Sequence, residues 1–85
     1  MTREDILEIA GELISGERGE EYGDAKESFQ RIADLWSAYR GDKYDMEDVA
    51  LMMILVKVSR LKHTKKHPDS WVDIAGYAAL GGAHE

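Results

Sequence analysis

"VALMMILVKVSRLKH", residues 49–63, decides how this chain folds. Its first eight residues, Val49 to Val56, are all apolar. A helix that is apolar on most sides belongs at the centre of a helical fold, touched by neighbours all round. The run then changes character. Lys57 and Arg60 stand one helical turn apart, where further apolar residues would simply extend a core. On a helix these cations share a face with Met46, Ala50, Met53 and Thr64, because steps of three and four stack side chains on one side. Either they are tethered to carboxylates on a neighbouring helix or they await an anionic ligand, and both can hold at once.

Three more helices flank the central one. Asp45 with Asp48 gives the start signal of residues 46 onward, a capping-box spacing. Upstream, Thr2 caps a first helix in which Ile6, Ile9, Ala10, Leu13 and Ile14 recur at helical spacing, and Gly16 stops it. Asp24 with Glu27 opens a second helix with a buried stripe of Phe29, Ile32, Ala33, Trp36 and Tyr39, ended by Gly41. Between the two, "SGERGEEYG" has three glycines and little apolar character and reads as a loop. Downstream, "HTKKHP" turns the chain into a fourth helix. Pro68 suits its first turn, Ser70 with Asp73 offers an alternative cap, and Trp71, Ile74, Ala75 and Ala78 face inward. The expected architecture is all-α: one compact four-helix bundle-like domain over residues 1–85, with short loops making neighbours antiparallel.

Composition narrows the possible roles. At 85 residues the core is thin, and burial against a second copy would help, so a homo-oligomer is expected. With no cysteine there is neither a disulfide framework nor a thiolate zinc site. The acidic "MTREDILEIAGELI" lacks the basic start of a signal peptide, and an apolar run of eight falls far short of a membrane span. A soluble, cytoplasmic protein is expected, with no membrane partner. A net charge of −6 argues against binding long nucleic acids.

The charge is unevenly spread. Fourteen of the seventeen acids lie at or before Asp48, whereas five of the eleven Lys and Arg residues and two of the three His lie within Lys57 to His67. An acidic body with one basic patch suits a small anion. If the third and fourth helices form a hairpin about residue 65 or 66, Asp69 and Asp73 come within reach of Arg60 and Lys57. Arg offers a flat donor fork for phosphate and Lys a point charge. His67, in the turn, would sit at the rim of such a pocket. In the preceding loop, Tyr22 could stack on a base and Asp24 could accept from a base edge or ribose hydroxyl, although a helix cap alone explains Asp24. Tyr77 is an aromatic beside the cations. With Trp36, Tyr39, Tyr44 and Trp71 it equally suits a core or an interface. No nucleophilic Ser/His/Asp set and no glycine-rich phosphate loop is legible.

"EEYGDAKESFQRIADLWSAY", "DVALMMILVKVSRLKH" and "HPDSWVDIAGYAAL" together resemble a small uncharacterised family frequent in tailed phages and prophages. The shared features are Tyr22, Gly23, Asp24, Phe29, Trp36, Lys57, Arg60, Asp69, Ser70, Asp73, Gly76 and Tyr77. A more distant similarity is to the all-helical nucleoside triphosphate pyrophosphohydrolases of the MazG type. These hold magnesium with a Glu-x-x-Glu pair on one helix and a Glu-x-x-Asp pair on the next. Here Glu17 and Glu20 match the first spacing, in a loop with Glu21, but Lys57 and Arg60 stand where the second pair would be.

The first functional expectation is a phage accessory protein without cofactor or catalytic residues. It would bind a small nucleotide-type anion through Lys57, Arg60, Tyr22, Asp24, His67, Asp69, Asp73 and Tyr77, acting as a sponge for a host immune signal (counter-defence). A second is a magnesium-dependent pyrophosphohydrolase using Glu17, Glu20 and Glu21. A third is an inhibitor that presents its acidic face to a basic host protein.

Overall fold

The structure, a computed structural model, describes residues 1–15 and 25–83. Four helices make up the fold: α1 (Arg3–Ser15), α2 (Ala25–Arg40), α3 (Met46–His63) and α4 (Pro68–Gly82). They form a compact all-α bundle with no strand among the described residues. None of these helices is long and apolar enough to cross a membrane.

Local chemistry sets the helix ends. At α1 the Thr2 hydroxyl accepts from the Asp5 N–H at 3.1 Å, and the Asp5 carboxylate accepts from the Thr2 N–H at 2.9 Å. Asp45 and Asp48 make the same reciprocal pair at the head of α3, at 2.9 and 3.0 Å. Both boxes satisfy amides that a helix start leaves unpaired. Gly41 ends α2 at φ +80°, a left-handed geometry that suits glycine, with its N–H on the Ser37 carbonyl at 2.9 Å. The Ser37 hydroxyl accepts from the Tyr44 N–H at 2.9 Å and fastens the α2–α3 connection. Pro68 occupies the first turn of α4, and the cap position belongs to His67 and not to Ser70. The expected Asp24 cap and Gly16 stop lie outside the described residues.

The two acidic caps make helix content sensitive to acid. The backbone N–H of Thr2 holds the Asp5 carboxyl below its ordinary value of 3.8, and that of Asp48 does the same for Asp45. A lowered carboxyl pKa adds stability above the ordinary value, and that stability is lost as pH falls through the lowered one. Helicity followed by circular dichroism should therefore decline below about pH 4. Asp45→Asn keeps an acceptor but removes one of the two titrations, so its decline over that window should be shallower.

The helices pack in the spatial order α1, α4, α3, α2. Lys57 meets Asp73, and Ala50 meets Gly81. Their residue numbers sum to nearly the same value, which makes α3 and α4 an antiparallel hairpin folded about residue 65, as the spacing predicts. On the other side of α3, Phe29 and Ala33 of α2 close on Val49 and Ala50, with Ile32, Trp36, Tyr44, Met46, Met53, Tyr77 and Leu80 around them. The Phe29 and Tyr77 rings lie 5.8 Å apart and tilted, and Trp36 meets Tyr44 edge-on at 6.2 Å. On the far side of α4, a Cβ at Gly76 would sit 3.4 Å from Ile14 of α1. Small residues let α4 lie close to both of its neighbours.

Gly81 shows how close. A Cβ there would stand 2.8 Å from the Ala50 Cβ, an atom that cannot swing away. Gly81→Ala should gain helix propensity yet force α4 off α3, for a net loss of about 1–3 kcal/mol in urea unfolding. A stabilised variant would show that the contact yields.

Three expected burials fail. Tyr39 is 88% exposed, because α3 covers α2 only along the Phe29–Ala33 side. α3 is not wrapped all round. Helices α2 and α4 cover two of its sides, and Leu51, Leu55, Val56 and Val58 face outward. On α4, Val72 is buried, while Trp71 and Ala78 are exposed. The helix is held between α1 and α3, and that places Ser70, Val72 and Gly76 inside.

Candidate functional site

The hairpin brings Lys57 of α3 against Asp73 of α4. Lys57 Nζ lies 3.1 Å from Asp73 Oδ2, with the two side chains 10% and 29% exposed. Lys57 falls on the stripe that carries Ala50 and Leu61, which α4 covers. A buried ammonium without a counter-charge is costly, and Asp73 supplies one at the level the antiparallel register dictates. Tethering, the first of the two sequence readings, therefore applies to Lys57.

Arg60 behaves differently. Three residues further on, it has turned out of the cleft. It is exposed and has no ion-pair partner among the described residues. Asp69, the acid expected to reach it, is exposed in the first turn of α4 and makes no ion pair among those residues. The expected Arg60–Asp69 tie is absent because α4 lies on the Lys57 side of α3, and three residues carry Arg60 some 60° round the helix.

From Arg60 to His67 every charge is positive, and the exposed Asp69 follows two residues later. Arg60, Lys62, His63, Lys65, Lys66 and His67 are exposed within eight residues. Cations at the end of α3 offset the negative end of its dipole, which is one physical reason for their presence. The turn itself is pinned. The Thr64 N–H donates to the Arg60 carbonyl at 3.0 Å and the His67 N–H to the Thr64 carbonyl at 3.2 Å. His67 Nδ1 hydrogen-bonds the buried Ser70 hydroxyl at 3.1 Å. The Trp71 indole N–H donates to the Lys65 carbonyl at 2.8 Å, so this ring clamps the turn while staying 48% exposed.

Of the residues singled out from sequence, Lys57 and Asp73 meet directly. Arg60, His67 and Asp69 border the turn. Tyr77 continues the stripe of Asp69 and Asp73 along α4 but sits about 15 Å from His67 by helix rise, against Phe29 in the core. Tyr22, Asp24, Glu17, Glu20 and Glu21 lie outside the described residues. Trp71 was missed as a turn residue. Its signal was a tryptophan a few residues behind a basic turn, where an indole N–H can reach back to a turn carbonyl. Among the described residues no group of three or more His, Asp or Glu side chains could hold a metal ion.

Such an arrangement presents a fixed, positively charged turn with an open aromatic ring beside it, on a chain that is acidic elsewhere. Comparison with known proteins gives it a family. Residues 5–85 match the family described as a domain of unknown function, DUF6378, and the chain belongs to that family. Among its relatives, the Gene 55 protein of Mycobacterium phage L5 is 54% identical over 76 residues, covering 88% of this chain and 49% of that protein. The Gene 55 protein of Mycobacterium phage D29 is 49% identical over 75 residues, covering 88% and 50%. The chain thus spans about half the length of the curated relatives it matches. The phage resemblance read from the motifs is supported by these relatives. No solved structure matches the chain.

Proposed function

We propose that this is a phage accessory protein, working in the host cytoplasm, whose α3–α4 turn binds a small nucleotide-type anion. One observation carries the reading: Arg60 is exposed at the end of α3, without an ion-pair partner among the described residues, next to a hydrogen-bonded basic turn that also displays the Trp71 ring. Arg60 and the turn lysines provide donors for phosphate, and the indole provides a face for a base. Lys57 and Asp73 act as positioning residues that hold the hairpin so that the turn keeps its shape. Sequestering a host immune nucleotide without cutting it is the use this reading assigns to the turn.

Thermal-shift measurements against ATP, ADP-ribose and cyclic dinucleotides, with product analysis, test this. At least one compound should raise the melting temperature and be recovered unaltered after heating. The Arg60→Ala/Lys65→Ala/Lys66→Ala variant should lose that shift while keeping its helix content. Recovery of pyrophosphate would instead make the protein a pyrophosphohydrolase, and an unchanged shift in the triple variant would remove the turn from the site.

A further inference from the structure

The outward face of α3 carries an ordered pattern. Asp48, Leu51, Leu55, Val58 and Lys62 recur at alternating steps of three and four, the spacing of a helix–helix seam. The three apolar members are 60%, 65% and 40% exposed. Leu55 stands midway, seven residues from the acid at one end and seven from the base at the other. We propose that this face is the dimer interface, pairing two α3 helices antiparallel about a two-fold axis at Leu55.

The charges choose both the occupant and the direction. About that axis Lys62 lies level with the partner's Asp48, Leu51 packs beside the partner's Val58, and Leu55 meets its own copy. The patch is complementary to itself, as a two-fold interface requires. A parallel pair would set Asp48 against Asp48 and Lys62 against Lys62. One Asp48 oxygen is held by the Asp45 N–H at 3.0 Å, and the other remains to accept from lysine. The protomer has reason to associate. Among the described residues Phe29 is its only buried aromatic, while Leu51, Leu55 and Val58 lie exposed on one helix face. Arg60, Lys65 and Lys66 stay clear of the seam, so association and anion binding are separable.

Light scattering behind size exclusion, run from micromolar to sub-millimolar protein, should reach twice the 9.6 kDa chain mass. Leu55→Glu should hold the mass at one chain with its circular dichroism unchanged. Lys62→Glu should weaken association about ten-fold at low salt and less at high salt, as screening predicts. Register has its own readout, because the chain contains no cysteine. A short bismaleimide should join two Leu55→Cys chains, whose sites lie about one helix spacing apart, roughly 8–10 Å. It should leave Lys62→Cys chains unjoined, with their sites about 21 Å apart along the axis. A single-chain mass throughout, a dimer that survives Leu55→Glu, or preferential joining of the Lys62→Cys chains would overturn the proposal.

Discussion

Lys57→Ala should destabilise the fold by about 2–4 kcal/mol, measured by urea unfolding. Removing one member of a buried ion pair leaves the other desolvated without its counter-charge, a loss of roughly 3–5 kcal/mol when both are fully buried. Asp73 keeps 29% exposure, so water recovers part of that. The lysine stem also packs along α4, and alanine leaves that space empty. In a domain of this size the loss corresponds to a melting temperature lower by roughly 10–20 °C. Charge and packing can be separated. Lys57→Met keeps the stem and should still cost about 2 kcal/mol, while Lys57→Met with Asp73→Leu should return close to the parent stability, because the orphaned carboxylate is gone. If Lys57→Ala were as stable as the parent, the α3–α4 tie would contribute nothing.

Phe29→Ala should be at least as damaging, at about 3–5 kcal/mol. The phenyl ring is 8% exposed and lies on Tyr77, joining α2 to the hairpin. The other buried apolar side chains among the described residues are alanine, valine and leucine, so none of them can fill the void. Where this variant is too unstable to measure, Phe29→Leu gives a readable loss of about 1 kcal/mol, near that of a volume-conserving change. Near-neutral results from both would mean that α2 is held elsewhere.

The two losses also mark what the sequence made visible. Helix starts were legible at Thr2 and Asp45 because reciprocal caps depend on residues three apart, and Gly41 was legible because a left-handed stop favours glycine. The Lys57–Asp73 pair followed from the hairpin turn, since an antiparallel register fixes which residues lie level. Facing was harder to read. Residues 49–56 are apolar on every side, so periodicity could not say that Ala50 and Val49 turn inward while Leu51 and Leu55 turn out. The same limit hid the parting of Lys57 and Arg60, which share a face in a helical wheel but straddle the edge of α4. Trp71 looked like core by size, yet its indole is needed at the turn and Val72 takes the inner place. Tyr22 and Asp24, which the sequence reading offered as base and ribose contacts, lie outside the described residues.

The most direct measurement is a two-dimensional 1H–15N NMR titration of the whole chain with the nucleotide that gives the largest thermal shift. The account predicts saturable changes centred on residues 60–71, including the Trp71 indole N–H, while the Trp36 indole stays unmoved. Changes that bypass this turn, or an identical response in the Arg60→Ala/Lys65→Ala/Lys66→Ala variant, would contradict it.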